Sequence, residues 1–414
     1  MENRSTTAGL NVAVFLTMLG VGMIMAILPQ RIITLTGSAR AVAWITAAFA
    51  VPYILLQVPI GRLSDRMGFK VFIVAGYALC IAVGGLYFFA DTPALVFLGR
   101  ALQGAGEAPI WALAPALLSV MYPRDKGKAI GTYNASMHVG LMLGPVLGIA
   151  LARALPGSYP FLFYSVTCLL GAITALIAVR DPAGDRGKTV ERFSLESAAA
   201  LGRQPAVIVA LLGIALYGAG YGAFLTAVPA DLITLRSFGP PTVGVYFTVF
   251  YLAICASQLL TGPLVDRRGT TLFMVLGLCV FAAGLLLFRS LPLPALIVTL
   301  GVASLGLGVF YLSSMAFLNG TVPAGQKGAI SGSYYLFWGL GYFLGPMLLS
   351  RLNASGRPTG YYAFAGVHRA DGSGRPPQAI VTCGQAPGSL GSLDSPSRSR
   401  PRVSSATVRA PRPR

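Results

Sequence analysis

GRLSDRMG, residues 61–68, comes back as GPLVDRRG at residues 262–269, about 200 residues further along. Each copy joins two long apolar runs and holds two glycines, an aspartate and two arginines in eight residues. Three more segments fall into register in the same order. ILPQRIITLTGS (27–38) matches AVPADLITLRSF (227–238), GKAIGTYNAS (127–136) matches KGAISGSYYL (327–336), and LGPVLG (143–148) matches LGPMLL (344–349). Four ordered matches mark a duplication, so the chain is built from two copies of one unit.

The material of that unit is membrane helix. Hydrophobic residues make up 55% of the 414, charged residues 11%, and mean hydropathy is +0.71, outside the usual balance of a soluble chain. Apolar runs long enough to cross a bilayer, about 17 to 25 residues each, lie near 9–28, 41–60, 71–90, 94–121, 129–153, 159–179, 206–229, 242–261, 271–289, 294–319 and 329–350. A β-barrel would need shorter segments of alternating polarity, and these runs are apolar on every face. The first run is too long for a signal-peptide core and lacks a small-residue cleavage site, so it reads as a retained span. The expected fold is all-α: two pseudo-symmetric six-helix bundles over 1–179 and 206–367, joined by a polar linker at 180–205. Six is even, so both copies insert in the same orientation.

The repeat also forecasts a missing piece. The span FLFYSVTCLLGAITALIAVR (161–180) should have a counterpart starting near 361, yet YYAFAGV gives way to HRADGSGRPPQAIVTCGQAPGS. The remainder, 368–414, reads as a disordered basic tail rich in Arg, Pro, Ser and Gly. A frameshift or misplaced end near Val367 is the favoured explanation, and a natural basic tail that attracts anionic lipid is the alternative.

The formal charge of +18 is explained by position. Arg62, Arg66 and Lys70, then Arg124, Lys126 and Lys128, then Arg180, Arg186, Lys188, Arg192 and Arg203 fall in alternate loops, whereas the intervening loops of that half carry Arg31, Arg40 and Arg153. Inside-positive loops place the N-terminus in the cytoplasm and the chain in the plasma (inner) membrane, in contact with the lipid bilayer. No separate basic domain exists for nucleic acid. Four cysteines lie in spans and Cys383 in the tail, which is no disulfide framework.

The G-x-L-x-D-R-x-G loop and its echo resemble the signature loop of the major facilitator superfamily. Gly61 and Gly68 let the chain reverse within a few residues. Asp65 can accept hydrogen bonds from a neighbouring helix N-terminus, while Arg66 and Lys70 can pair with acids across the bundle; Asp266 and Arg267 repeat the pattern. The expected role is a contact that shuts one side of the protein in one state and breaks in the other. In span 5, GLMLGPVLG (140–148) resembles the G-x-x-x-G-P-x-x-G-G pattern of the superfamily's drug antiporters, with Ile149 in place of the last glycine. Gly140, Gly144 and Gly148 share one face and allow close approach of another helix. Pro145 removes a backbone hydrogen bond, and a bent seam between the halves is expected.

LGRALQGAGEAPIWAL (98–113) puts two charges inside an apolar run, where each costs about 2.5 to 3.5 kcal/mol even on lenient scales. Arg100, Gln103, Gly104 and Glu107 stand at i, i+3, i+4 and i+7, on one helix face. Arg100 and Glu107 are roughly 10 Å apart along the axis, too far for a close pair but suited to a chain through Gln103, water or substrate. The equivalent span of the second half, ASLGLGVFYLSSMAF, is uncharged. Arg100, Gln103 and Gly104 resemble the R-x-x-Q-G pattern of drug:proton antiporters, and the resemblance implies that the arginine takes part in proton transfer. Glu107 is the expected proton carrier, with Arg100 and Gln103 tuning it.

Three further features are expectations of the same kind. Arg31 and Asp231 occupy matching positions at the outer ends of spans 1 and 7 with opposite signs, as an outer gate would. His138 is a relay candidate. Tyr217 and Tyr221 lie four residues apart on one face, suited to line a pocket for a planar or cationic compound. GDRGKT (184–189) lacks the first glycine of a P-loop, and no metal cluster or nucleophile triad is visible, so no cofactor is expected and an ion gradient must drive transport. The reading is a monomeric, non-enzymatic, proton-coupled transporter that exports a small amphipathic or cationic compound by alternating access. An uptake symporter, or a non-transporting remnant or sensor, stays open.

Overall fold

A computed structural model describes residues 2–37, 41–155, 158–181, 203–234 and 240–353. The tail from 354 on and most of the linker lie outside the described residues, and so does the question of a twelfth helix.

Among the described residues, eleven α-helices occupy the apolar runs: α1 (Glu2–Thr36), α2 (Ala41–Met67), α3 (Phe69–Phe89), α4 (Pro93–Met121), α5 (Lys126–Ala154), α6 (Tyr159–Ala178), α7 (Pro205–Thr234), α8 (Pro240–Arg268), α9 (Thr271–Leu287), α10 (Leu293–Thr321) and α11 (Lys327–Asn353). Nine of them among the described residues are long and apolar enough to cross a membrane, and Thr271–Leu287 is a shorter apolar helix. In hydrocarbon every backbone group must be satisfied within its own segment, which leaves the helix as the solution for such runs. The outward faces are apolar: Leu55, Val146, Ile177, Val209 and Leu260 are all more than half exposed. A soluble protein would bury such side chains. Here the buried interior instead holds Gln57, Gln103, Glu107, Asn134, His138, Gln258 and Asn319.

Helix α1 packs on α5 and α6, α2 on α4, and α3 on α4 and α6; in the second half α7 packs on α11, and α10 on α8 and α9. The halves meet chiefly where α5 crosses α8 and where α2 crosses α11, with α4 also touching α11. These two main crossings are images of each other. A Cβ on Gly61 would strike the Gly328 backbone, and one on Gly262 would strike Gly127. Likewise Gly332 lies against the Gln57 carbonyl, and Gly131 against that of Gln258. These pairs share an offset of 201 (Gln57 and Gln258, Gly61 and Gly262, Gly127 and Gly328, Gly131 and Gly332), so the match of 127–136 with 327–336 is one residue out of register. The shared Ala-Ile letters drew the two segments together, whereas the two crossings make Gly127, against Gly262, the counterpart of Gly328, against Gly61.

Candidate functional site

The charges of α4 form one buried chain. Gln103 Oε1 accepts from Arg100 Nη1 at 3.0 Å and from the Tyr87 hydroxyl of α3 at 2.9 Å. Those two donors fix the amide orientation, so Gln103 Nε2 is turned to Glu107 Oε1 at 2.8 Å. The other carboxylate oxygen, Oε2, accepts from Trp111 Nε1 at 3.2 Å, one helical turn further on. Arg100 is steadied by α2: its Nε donates to the Ile45 carbonyl at 3.4 Å and its guanidinium carbon lies 4.8 Å from the Phe49 ring centroid. Arg100 is 8% exposed and Glu107 1%, so Arg100 does not reach out to a membrane surface. The spacing of about 10 Å is bridged by Gln103, and the opposite charges compensate each other without direct contact.

Trp111 carries this chain to the second half. Its ring stacks on Trp338 of α11 at 5.6 Å and meets Tyr335 edge-on at 6.0 Å. Trp338 in turn touches Tyr53 of α2, Tyr221 of α7 and Tyr342. Tyr217 and Tyr221, expected on one face, have ring centroids 6.0 Å apart, and Tyr217 stacks on Tyr311 of α10 at 5.5 Å. The Tyr311 and Tyr335 hydroxyls are 2.6 Å apart, and Tyr311 donates to Asn134 Oδ1 at 3.2 Å. His138 Nδ1 is 2.7 Å from the Asn134 carbonyl, and its ring faces Tyr221, Tyr251 and Tyr311. Glu107 and His138 therefore stand at two sides of one aromatic cluster built by both halves.

At the basic end each aspartate of the repeated loop grips the first turn of a helix in the opposite half. Asp65 Oδ1 and Oδ2 accept from the Gly328 and Ala329 amides of α11 at 2.8 and 2.9 Å. Asp266 accepts from the Gly127 and Lys128 amides of α5, both at 2.8 Å. An anion at a helix N-terminus satisfies free N–H groups and meets the positive end of the helix dipole. Gly68 and its repeat Gly269 turn the chain with φ of 94° and 84°, a region where a side chain is strained. Lys70 uses its backbone here: its amide and that of Phe69 donate to Asp181 Oδ1. Arg66 and Arg267 lie on the last turns of α2 and α8.

The description Major Facilitator Superfamily matches residues 10–230 and 210–368. The chain belongs to the Major Facilitator Superfamily. A similar Major Facilitator protein is an uncharacterized MFS-type transporter of Methanocaldococcus jannaschii, 24% identical over 344 residues, which are 81% of this chain and 87% of the relative. Multidrug resistance protein 2 of Bacillus subtilis is 25% identical over 353 residues, 81% of this chain and 85% of that protein. The crystal structure of the human organic anion transporter MFSD10 superposes with a TM-score of 0.75 at 16% identity, covering 88% of this chain and 97% of the other. The protein is thus a multi-pass membrane transporter of the Major Facilitator fold.

Within this Major Facilitator chain one expected placement is corrected. The glycine face of α5 is not a seam between halves: Gly140, Gly144 and Gly148 lie against Phe15, Leu19, Gly22 and Met23 of α1, inside the first half. The four-residue period makes a smooth face but does not say which helix covers it. Pro145 lies within α5, and its ring adjoins Gly22. Gly341 and Gly345 of α11 repeat the arrangement against α7. Arg31 donates from Nη2 to the Ala90 carbonyl at 2.7 Å; the side chain of Asp231 lies outside the described residues, and so does their pairing.

Several residues of the cluster escaped the sequence reading. Trp111 stands four residues after Glu107, within the very segment that holds the charges, and helical spacing alone marks it. Gln57 and Gln258 each precede the repeated loop glycine by four residues, so the repeat extends to Q-x-x-x-G-x-L-x-D. Both are 0% exposed; the Gln258 amide has no hydrogen-bond partner, and the Gln57 amide has the Tyr53 hydroxyl beside it. Tyr87 and Tyr311 carry no linear signal, and Asn134 and Tyr335 are counterparts at the offset of 201 within the repeated segments; the packing of α3, α5, α10 and α11 brings the four into the cluster.

Proposed function

We propose that this transporter exports small amphipathic organic cations in exchange for protons by alternating access. Glu107 carries the proton, Arg100 and Gln103 orient it, and Trp111, Trp338, Tyr217 and Tyr221 belong to the cation-binding wall. The observation that carries this reading is the double commitment of Glu107. One oxygen ends the Arg100–Gln103 chain and the other bonds a tryptophan stacked on the opposite half. A cation entering between the rings and a proton on the carboxylate would then compete for one negative charge, which is the condition for exchange. Aromatic faces favour cations in such a dry site. The similarity to a protein named for multidrug resistance supports export.

In this reading the basic end faces the cytoplasm, the protein acts as a monomer in the plasma (inner) membrane, and the Asp65 and Asp266 contacts hold the cytoplasmic side shut. The test is uptake of ethidium by proteoliposomes with an acidic lumen. Accumulation that a protonophore abolishes is expected. Uptake indifferent to the pH gradient would overturn proton coupling.

A further inference from the structure

The two oxygens of Glu107 stand in unequal positions. Oε1 accepts from Gln103 Nε2, and that amide cannot turn away, because Gln103 Oε1 is itself held by Arg100 Nη1 and the Tyr87 hydroxyl. Oε2 accepts from Trp111 Nε1, whose ring rests on Trp338 and Tyr335 of the opposite half. Among the described residues, the other ionisable groups whose charge reaches Glu107 are Arg100 of α4, Tyr53 of α2, Tyr87 of α3, and Tyr164 and Cys168 of α6. None of these is a second carboxylate, so Glu107 shares an incoming proton with no other acid.

A carboxylate accepts at both oxygens, whereas a neutral carboxyl turns one of them into a donor. The anchored chain from Arg100 leaves Oε2 as the oxygen that changes. There the new O–H meets the Trp111 N–H, donor against donor, and the indole loses its acceptor. A buried N–H left without an acceptor is costly, so the ring shifts.

We infer that Trp111 couples the protonation of Glu107 to the contact between the halves: a proton from solvent adds to Oε2, displaces the indole N–H, and loosens the Trp111 ring from Trp338 and Tyr335. The indole keeps its own hydrogen throughout. The carboxylate form favours the shut basic end, and the neutral form favours its parting. This rests on the reading of Glu107 as proton carrier and adds the route by which its charge reaches the second half. In an exporter, the proton taken up after the cation leaves would then start the return.

The test is a double-mutant cycle on the full chain in nanodiscs at one fixed pH. Spin labels on Arg124→Cys and Ala324→Cys, exposed positions at the basic end of the first and second halves, report shut and parted populations as short and long distances once the native cysteines are replaced by alanine. Glu107→Gln accepts from one donor only, as the neutral carboxyl does, and Trp111→Phe keeps a ring but loses the N–H. Each should raise the ratio of parted to shut protein about tenfold, and the double variant should rise no further. In a Trp338→Leu background Glu107→Gln should have no effect, whereas Trp338→Phe, which keeps a ring to stack on, should restore it. A double variant at the product of the two singles, about a hundredfold, would overturn the coupling, and so would Glu107→Gln at the wild-type ratio. Either result leaves proton exchange to the ethidium assay, and failure of that assay beside an intact cycle would fault the functional reading alone.

Discussion

Gln57 of α2 and Gln258 of α8 stand at the same place in the two halves, each fully buried and pressed against a glycine of the opposite half, Gly332 and Gly131; the Gln258 amide has no partner and the Gln57 amide has only the Tyr53 hydroxyl beside it. A buried amide left without bonds costs about 1 to 3 kcal/mol. The pair therefore opposes closure of the basic end, because parting of α2 from α11 and of α5 from α8 gives both amides access to water. Gln57→Leu and Gln258→Leu should favour the shut state. Cys255 reports the α5–α8 crossing, since it is 6% exposed with its thiol 3.7 Å from the Ala135 carbonyl. With the other cysteines replaced by alanine, maleimide labelling of Cys255 should slow by about tenfold in each glutamine variant; faster labelling would contradict the account.

The aspartates act with the opposite sign. Asp65→Asn and Asp266→Asn each give up charge-assisted bonds to two helix-terminal amides, worth about 1.5 to 3 kcal/mol, and should favour the open state. Labelling of Cys255 should rise roughly tenfold in both variants. The informative comparison is with Asp65→Asn, whose contacts lie at the other crossing, α2–α11. If only Asp266→Asn speeds the reaction, the halves do not part as units and the gate is a local contact.

Close packing of α5 on α1 predicts a contrast between two glycines. A methyl at Gly144 would meet the backbone of Leu19, Gly22 and Met23, whereas one at Gly85 would meet nothing within 4 Å. Gly144→Ala should cost about 1 to 3 kcal/mol by overpacking and lower the melting temperature in detergent. Gly85→Ala should leave it unchanged. Equal melting of the two variants would mean that α1 and α5 do not meet at Gly144 as described.

How far the sequence led depended on whether information was local. Arg100, Gln103 and Glu107 share a helix face at fixed spacing, and the structure joins them in that order through Gln103. The G-x-L-x-D-R-x-G segment announced a helix-terminal contact for Asp65, although Gly61, expected to turn the chain, lies with Asp65 inside α2 and the turn comes at Gly68; the partner of Asp65, Gly328, is 263 residues away and no local rule names it. The glycine face of α5 was legible as a face, but its covering helix, α1, was not. Most of the aromatic cluster was illegible: Trp111 could be marked by its spacing from Glu107, but Tyr311, Tyr335 and Trp338 are ordinary apolar-helix residues until α10 and α11 set them ring to ring. The repeat identified what the halves share, and the charged α4 chain stood out because its copy lacks it.

The most direct test of proton exchange through Glu107 is a pair of assays on Glu107→Gln in proteoliposomes. Glutamine keeps the shape and can still accept from one of the two donors, Gln103 Nε2 or Trp111 Nε1, but it cannot release a proton. Ethidium exchange across the membrane at equal pH should persist, while accumulation driven by an imposed pH gradient should fall to background. Gradient-driven accumulation at the wild-type level in Glu107→Gln would contradict the assignment of Glu107 as the proton carrier.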